Sequence, residues 1–436
     1  MIVSPAFAGK RYAVLGLARS GVATVETLLA SGAQVTAWDN REEARAPFEG
    51  RADLADPVSI DLTGFAGVVV SPGVPLNRHP IAEAAGKAGV PIIGDIELFA
   101  QARAGLPAHR VVGITGTNGK STTTALVHHL IASAGLPVRM GGNIGLPILG
   151  QTPLDEGGVY VLELSSYQID LTHNLAVDVA ALINLSPDHL DRYDGYEGYA
   201  ASKARLFSMQ HADQQAVFGC GDPDTLRIAG ELAKSRTPGH VHVVDPSLLT
   251  GQAHWPSLQG PHNLQNAAIA VEIARLLGLE EAQWRPALAT FKGLPHRMER
   301  VAEHNGVLYV NDSKATNPAS TAPALAAFPR IHWIVGGLPK GDNLDECVPW
   351  FGNVVAAYTI GEAGPRFAEI LEPVMQVHRS EMMSEAVQQA MAAAKPGEVV
   401  MLSPACASFD QFRDFEARGD CFRQLVEALI GESGAA

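Results

Sequence analysis

Residues 110–124 read RVVGITGTNGKSTTT, and the fold of the surrounding chain is built around them. Val111-Val112-Gly113-Ile114 is an apolar run of the kind that forms a buried strand. Thr115-Gly116-Thr117-Asn118-Gly119 breaks that run, and Lys120-Ser121 lead into a helical pattern over residues 122–132. Strand, glycine loop and helix form a phosphate cradle, in which loop N–H groups and the positive end of the helix dipole surround an anion. In such a loop Lys120 reaches the outer phosphates and the Ser121 hydroxyl holds magnesium. The strict Walker pattern has glycine at position 114, which is isoleucine here, and Gly113 falls one place early. Lys-Ser on the expected positions nonetheless weighs against a bare glycine-rich turn.

Upstream, residues 12–15 predict a strand, Gly16-Leu-Ala-Arg-Ser-Gly21 a turn, and the stretch to Ala30 a helix. Residues 35–38 predict a second strand ending at Asp39. The fingerprint is G-x-A-x-x-G, because Ala18 stands where a glycine lets the backbone approach a pyrophosphate. That disfavours a nicotinamide dinucleotide. Asp39 and Arg41 at a strand end still suit a nucleotide base or ribose, and a turn that merely closes a Rossmann-like layer is the alternative. A third strand, residues 68–70, runs into Ser71-Pro72-Gly73-Val74, at the carboxyl end where open α/β sheets bind ligands. A helix over residues 95–104 and a hinge at Gly105-Leu-Pro-Ala precede the phosphate loop.

Downstream, Gly141-Gly142-Asn143-Ile144-Gly145 is a polar loop, and a strand over residues 159–163 delivers Glu163. A carboxylate there is a natural magnesium partner, directly or through water; a capping or surface acid is the alternative. Residues 180–185 predict a strand that delivers His189, flanked by Asp188 and Asp191, in a catalytic or metal-binding position. Lys203 lies in a predicted helix over residues 196–209 and by itself reads as a solvated lysine. Asn263 and Asn266, three apart at a helix start, can face one ligand, although Asn263 also suits a cap. Beyond residue 299, strands at 307–310, 331–335, 354–360 and 399–402 alternate with helices and predict a further open parallel sheet.

The 436 residues predict two to three domains. With 47% hydrophobic and 18% charged residues the composition is that of a soluble globular protein. A net charge of −14 argues against a nucleic-acid or membrane surface, and no apolar run is long enough to span a bilayer. The N-terminus lacks a signal layout. Four scattered cysteines, Cys220, Cys347, Cys406 and Cys421, predict reduced thiols in a cytoplasmic protein.

Gly-Thr-Asn-Gly-Lys-Ser, Glu-Leu-Ser-Ser-Tyr-Gln, Asp-His-Leu-Asp-Arg-Tyr, His-Asn-x-x-Asn, Leu-Pro-His-Arg and Asn-Asp-Ser-Lys-Ala-Thr-Asn occur in this order. The whole chain thereby resembles the Mur ligase and folylpolyglutamate synthase superfamily, and residues 402–412 resemble its glutamate-adding branch. The resemblance implies three α/β domains: a Rossmann-like domain binding a UDP substrate (1–94), a central P-loop-type ATPase domain (95–298) and a Rossmann-like glutamate domain (299–436). It implies ATP-dependent amide formation between UDP-N-acetylmuramoyl-L-alanine and D-glutamate through an acyl phosphate, by a monomer without membrane insertion. Gly116, Thr117, Asn118, Gly119, Lys120, Ser121, Thr122, Asn266, Arg297 and Asp312 would hold ATP. Ser121 and Glu163 would serve one magnesium ion, and His189 and a carbamylated Lys203 a second. Lys120, Glu163, His189 and Lys203 would be catalytic. Ser20, Asp39, Asn40, Arg41, Ser71, Asn143, Ser165 and His189 would meet the UDP-muramoyl substrate. Lys314, Thr316, Lys340, Ser408 and Phe415 would surround glutamate; Lys340 follows Leu338-Pro339, where the family often has an acidic–glycine pair. Three alternatives remain: a dehydrogenase, disfavoured by Ala18; an ATP-binding module, which has no need of Glu163, His189 and Lys203 together; and a sibling ligase for another amino acid, disfavoured by residues 408–415, or a variant that adds L-glutamate.

Overall fold

The computed structural model describes residues 1–189 and 192–434. Asp191, one of the acids beside His189, lies outside the described residues.

Three sheets form the chain. The first is parallel, with β1 (Arg11–Leu15), β2 (Gln34–Trp38), β3 (Gly67–Val70) and β4 (Ile92–Ile93) in the order β2-β1-β3-β4. The second contains β5 (His109–Thr115), β6 (Val138–Gly142), β7 (Gly158–Glu163), β8 (Val179–Leu182), β9 (Gln215–Gly219) and β10 (Val241–Val244). Its order is β10-β9-β8-β5-β7-β6, all parallel. Its inner strands β5, β7 and β8 are apolar and almost wholly buried, as a sheet covered on both faces requires.

The third sheet contains β11 (Glu299–His304), β12 (Val307–Asn311), β13 (Ile331–Gly336), β14 (Val354–Ile360), β15 (Gln376–Glu381) and β16 (Val399–Leu402), ordered β11-β12-β16-β13-β14-β15. The four strands expected there, β12, β13, β14 and β16, pair in parallel, whereas β11, which the sequence did not single out, forms an antiparallel hairpin with β12. Asn305 and Gly306 turn that hairpin with φ of 51° and 75°, the left-handed pair that a two-residue loop needs.

The chain divides into two compact units, Met1–Pro246 with Ala268–Ala287, and Ser247–Ala267 with Leu288–Ala436. The first unit holds the first two sheets, and one apolar core runs from Val14, Val25 and Leu28 through Ile96 and Phe99 to Val111 and Leu162. The helix before the segment read as a hinge is tied down within this unit. Arg103 Nη1 donates to the Ala176 carbonyl at 2.6 Å, and the buried Glu97 carboxylate accepts from the N–H groups of His173 and Asn174 at 2.7 and 3.0 Å. The second unit has an apolar core on each face of its sheet.

Two differences from the expected boundaries bear on the site. The helix of the phosphate loop begins at Lys120, two residues earlier. Strand β8 stops at Leu182 instead of 185, because the backbone beyond Leu182 turns to grip the phosphate loop.

Candidate active site

Strand β5 lies inside the second sheet, and its carboxyl end opens into the phosphate loop. Gly116 and Gly119 have φ of 149° and 84°, and a Cβ at Gly116 would crowd Ile183 and Asn184. Glycine is therefore required at the turn. The loop is held from outside. Thr117 N–H donates to the Asn184 carbonyl and Asn118 N–H to Asn184 Oδ1, both at 2.9 Å. Thr117 Oγ1 accepts from Ser186 N–H at 3.0 Å and from the Tyr199 hydroxyl at 3.2 Å. Lys120 Nζ donates to the carbonyls of Gly116 and Thr117 at 2.8 and 2.7 Å, so its ammonium curls over the loop. Ser121 is buried in the first helical turn, and Thr122 follows it.

Glu163 ends β7 beside β5, paired with Ile114. Its side chain is 1% exposed. Oε1 accepts from Asn143 Nδ2 at 2.9 Å, whereas Oε2 is buried with no hydrogen-bond partner. Ser165 caps the short helix Ser166–Asp170 in a reciprocal box with Gln168.

Lys203 is the largest departure from its isolated reading. It is 1% exposed, with Nζ 4.6 Å from the centre of the Tyr199 ring. Burial, reinforced by the charge of Lys120, pushes its pKa well below the ordinary lysine value, against the pull of Asp188, Asp170 and Glu163. His189 sits at φ 53° with its ring 5.0 Å from that of Tyr167. Its Nε2 lies 3.6 Å from Asp188 Oδ2.

In the first sheet, Asp39, Asn40 and Ser71 line a cavity of about 380 Å³ with Trp38, Asp56 and His79. Asp39 accepts from Leu17 N–H at 2.8 Å and from Arg41 Nε at 3.2 Å. Partial burial opposes its ionisation, but these hydrogen bonds prevail and hold its pKa below the usual range. Arg41 pairs with Asp39, and neither it nor Ser20, in the helix Arg19–Ala30, lines the cavity. Gly21 is indispensable, since a Cβ there would overlap the Gly16 carbonyl.

In the second unit, Asn266 Nδ2 donates to Asn263 Oδ1 at 3.2 Å, and both residues are buried. Asp312 follows β12 and accepts from Ser403 Oγ at 2.8 Å and Met298 N–H at 3.1 Å. Burial pushes its pKa up to about 7, against these bonds and the charges of Arg297 and Arg418. The five residues assigned to glutamate gather at the carboxyl ends of β12, β13 and β16. Lys340 Nζ reaches Thr316 Oγ1 at 3.5 Å, and Lys314 Nζ lies 3.9 Å from the centre of the Phe415 ring. Leu338 bridges to Ala407, next to the buried Ser408. Arg418, fully buried and absent from the sequence reading, ties these loops together. It donates to Ser313 Oγ and to the carbonyls of Ser313, Cys406 and Ala407 at 2.7 to 3.0 Å.

Comparison with known proteins identifies the family. Residues 10–94 match the Mur ligase MurD-like N-terminal domain, 114–245 the Mur ligase middle domain and 296–406 the Mur ligase glutamate ligase domain. The chain is 80% identical over 435 residues to the UDP-N-acetylmuramoylalanine–D-glutamate ligase of Novosphingobium aromaticivorans, covering 100% of this chain and 98% of that one. It belongs to the Mur ligase family. The correspondingly named ligase of Sphingopyxis alaskensis is 62% identical over 98% of this chain and 100% of that one. Among solved structures, the MurF ligase of Thermotoga maritima in complex with ADP has a TM-score of 0.59 over 99% of this chain and 98% of that one. At 16% identity it supports the three-domain Mur ligase fold alone.

Glu163 fits the first of the two magnesium sites that the sequence predicts. Among the described residues no three His, Cys, Asp or Glu side chains converge on a metal position, so a protein cage is absent there. Magnesium seldom uses one, taking one or two carboxylates with waters and substrate phosphates. The buried Glu163 Oε2 would supply one such oxygen, and an unpaired buried carboxylate oxygen is costly until a cation meets it.

Asp312 gives a measurable signature of its burial. Its folded pKa of about 7 exceeds the ordinary 3.8, so the folded state binds the extra proton between those values. This group's contribution therefore makes stability fall as pH rises from about 4 to about 7. Replacing Asp312 with asparagine should remove that slope, read as the difference in Tm between variant and parent across the same range. A constant difference would contradict the assignment.

Proposed function

We propose that this Mur ligase joins D-glutamate to UDP-N-acetylmuramoyl-L-alanine at the expense of ATP, the amide-forming step of peptidoglycan synthesis that its named relatives carry out. The observation that carries the proposal is the clustering of Lys120, Glu163 and a buried, deprotonation-prone Lys203 around one phosphate loop. A dehydrogenase or a passive nucleotide-binding module has no use for that set.

The chemistry asks little covalent work of the protein. The substrate carboxylate attacks the γ-phosphorus, the bond to ADP breaks, and an acyl phosphate results. The glutamate amine then attacks the acyl carbon, loses a proton and expels phosphate. Positioning and neutralisation of phosphoryl charge dominate such transfers. Lys120 and the loop N–H groups provide them, with Asn266, Arg297 and Asp312 assigned to the nucleotide. Asn143 and His189 orient the muramoyl end, and Lys314, Thr316, Lys340, Ser408 and Phe415 the amino acid. Magnesium at Ser121 and Glu163, and a second ion at His189 and a carbamylated Lys203, would supply the remaining charge neutralisation. The cytoplasm, which supplies ATP and keeps the four free thiols reduced, is the assigned compartment.

The test is phosphate release by the purified enzyme with ATP, magnesium and UDP-N-acetylmuramoyl-L-alanine against amino acids in both enantiomers. D-glutamate should support release and its enantiomer should not. Release with a different amino acid and none with D-glutamate would overturn the proposal.

A further inference from the structure

The segment 72–76 has two faces. Gly73, Val74 and Pro75 line the cavity of about 380 Å³ that also contains Asp39 and Ser71. On the other side Pro72, Val74 and Leu76 line a smaller cavity of about 90 Å³, with Tyr167, Asp170, Arg192 and Tyr193. One wall thus separates the expected nucleotide pocket from the loop that carries His189.

Arg192 binds that wall. Its Nη2 donates to the Val74 carbonyl at 3.0 Å, across 118 residues of chain. The same guanidinium lies 4.3 Å from the centre of the Tyr167 ring. The Tyr167 ring in turn lies 5.0 Å from the His189 ring and stacks on Tyr193 at 6.0 Å and 12°. The Tyr193 hydroxyl donates to Asp170 Oδ2 at 2.8 Å, and Ser202, next to Lys203, donates to Asp170 Oδ1 at 2.7 Å. Backbone carbonyl, guanidinium, phenol ring and imidazole therefore form a continuous set of contacts between the pocket wall and His189. The Asp170 branch extends it to the helix that carries Lys203.

We infer that Arg192 and Tyr167 are positioning residues that register the pocket wall at Val74 against His189, so that UDP-substrate binding and the placement of the reacting carboxylate are set together. The inference rests on the function proposed above and adds the coupling. A planar guanidinium suits both tasks, since it donates in plane while its face stacks on the ring. Lysine can keep a hydrogen bond to Val74 but not the flat stack.

The experiment is steady-state kinetics on the full chain for Arg192→Ala, Arg192→Lys, Tyr167→Leu and Tyr167→Phe, with Tm and nucleotide affinity measured alongside. Arg192→Ala should raise KM for the UDP-muramoyl substrate and lower kcat, each by roughly tenfold, with KM for ATP within about twofold of the parent. Arg192→Lys should fall between, Tyr167→Phe, which keeps the ring, should lose less than Tyr167→Leu, and Tyr167→Leu should match Arg192→Ala. The double variant Arg192→Ala/Tyr167→Leu should lose less than the product of the single losses, because both break one set of contacts. Parent-like kinetics for Arg192→Ala, multiplicative losses in the double variant, or equal rises in both KM values with a lowered Tm would each overturn the inference. The parent enzyme in the same assay keeps the two proposals apart: if it turns over with D-glutamate and Arg192→Ala matches it, the coupling alone fails.

Discussion

Lys203→Ala is expected to lose turnover by about 10²-fold or more, and a small carboxylic acid in the assay should restore part of it. The reasoning starts from burial. A lysine 1% exposed beside another cation cannot comfortably hold its proton, and its pKa is depressed first by desolvation and next by Lys120. The neutral amine so favoured is the form that reacts with carbon dioxide, its nitrogen bonding to carbon and a proton leaving. The product is a carbamate, which exchanges one positive charge for one negative charge and presents oxygen, the ligand magnesium prefers. An ammonium at the same place would repel the ion. Acetate or formate entering the space vacated in the variant offers the same oxygen chemistry without the covalent link. Mass spectrometry of the native parent should find the added carbon dioxide, and its yield should rise with bicarbonate. Full activity of Lys203→Ala without an added acid would defeat the idea, as would rescue by a neutral amide equal to rescue by the acid.

The sequence made the phosphate loop legible because every part of it is local. An apolar strand, two glycines, Lys-Ser and a helix lie within residues 111–132. The elements that hold the loop are not local. Asn184 and Tyr199 meet it from 66 and 82 residues away, and nothing in their neighbours announces a polar contact. The run at residues 180–185 reads as strand throughout for a related reason: Ile183 and Leu185 are buried as strand residues would be, while Asn184 between them holds the loop. The hairpin of the third sheet carried an Asn-Gly signal, but an apolar run does not reveal whether its neighbour is parallel. Lys203 looked like surface from its helix alone, and only the family resemblance singled it out. Arg418 is the converse case, an apparently ordinary helix arginine that organises loops 105 residues distant.

Lys120→Ala should abolish measurable turnover, a loss of about 10²–10³-fold or more, in a protein that still folds. In the parent its ammonium donates to the carbonyls of Gly116 and Thr117, both within its own loop. Removing them costs local order in the loop, whereas the buried strand and helix beneath it keep their packing. The lost charge matters in two ways. Phosphoryl transfer loses the cation that meets the outer phosphates. The proton balance at Lys203 also changes, because Lys120 is the second cause of its depressed pKa. Without that neighbouring charge the Lys203 pKa rises, more of the amine is ammonium at neutral pH, and less carbamate forms. Native mass spectrometry should therefore find less carbon dioxide on the variant than on the parent at equal bicarbonate, and higher pH should narrow the gap. Lys120→Met, which keeps length and removes charge, should reproduce both losses, while Lys120→Arg should retain the carbamate even if turnover stays low. A folded Lys120→Ala enzyme with parental turnover would refute the catalytic role. An unchanged carbamate yield would refute the coupling and leave the catalytic role standing.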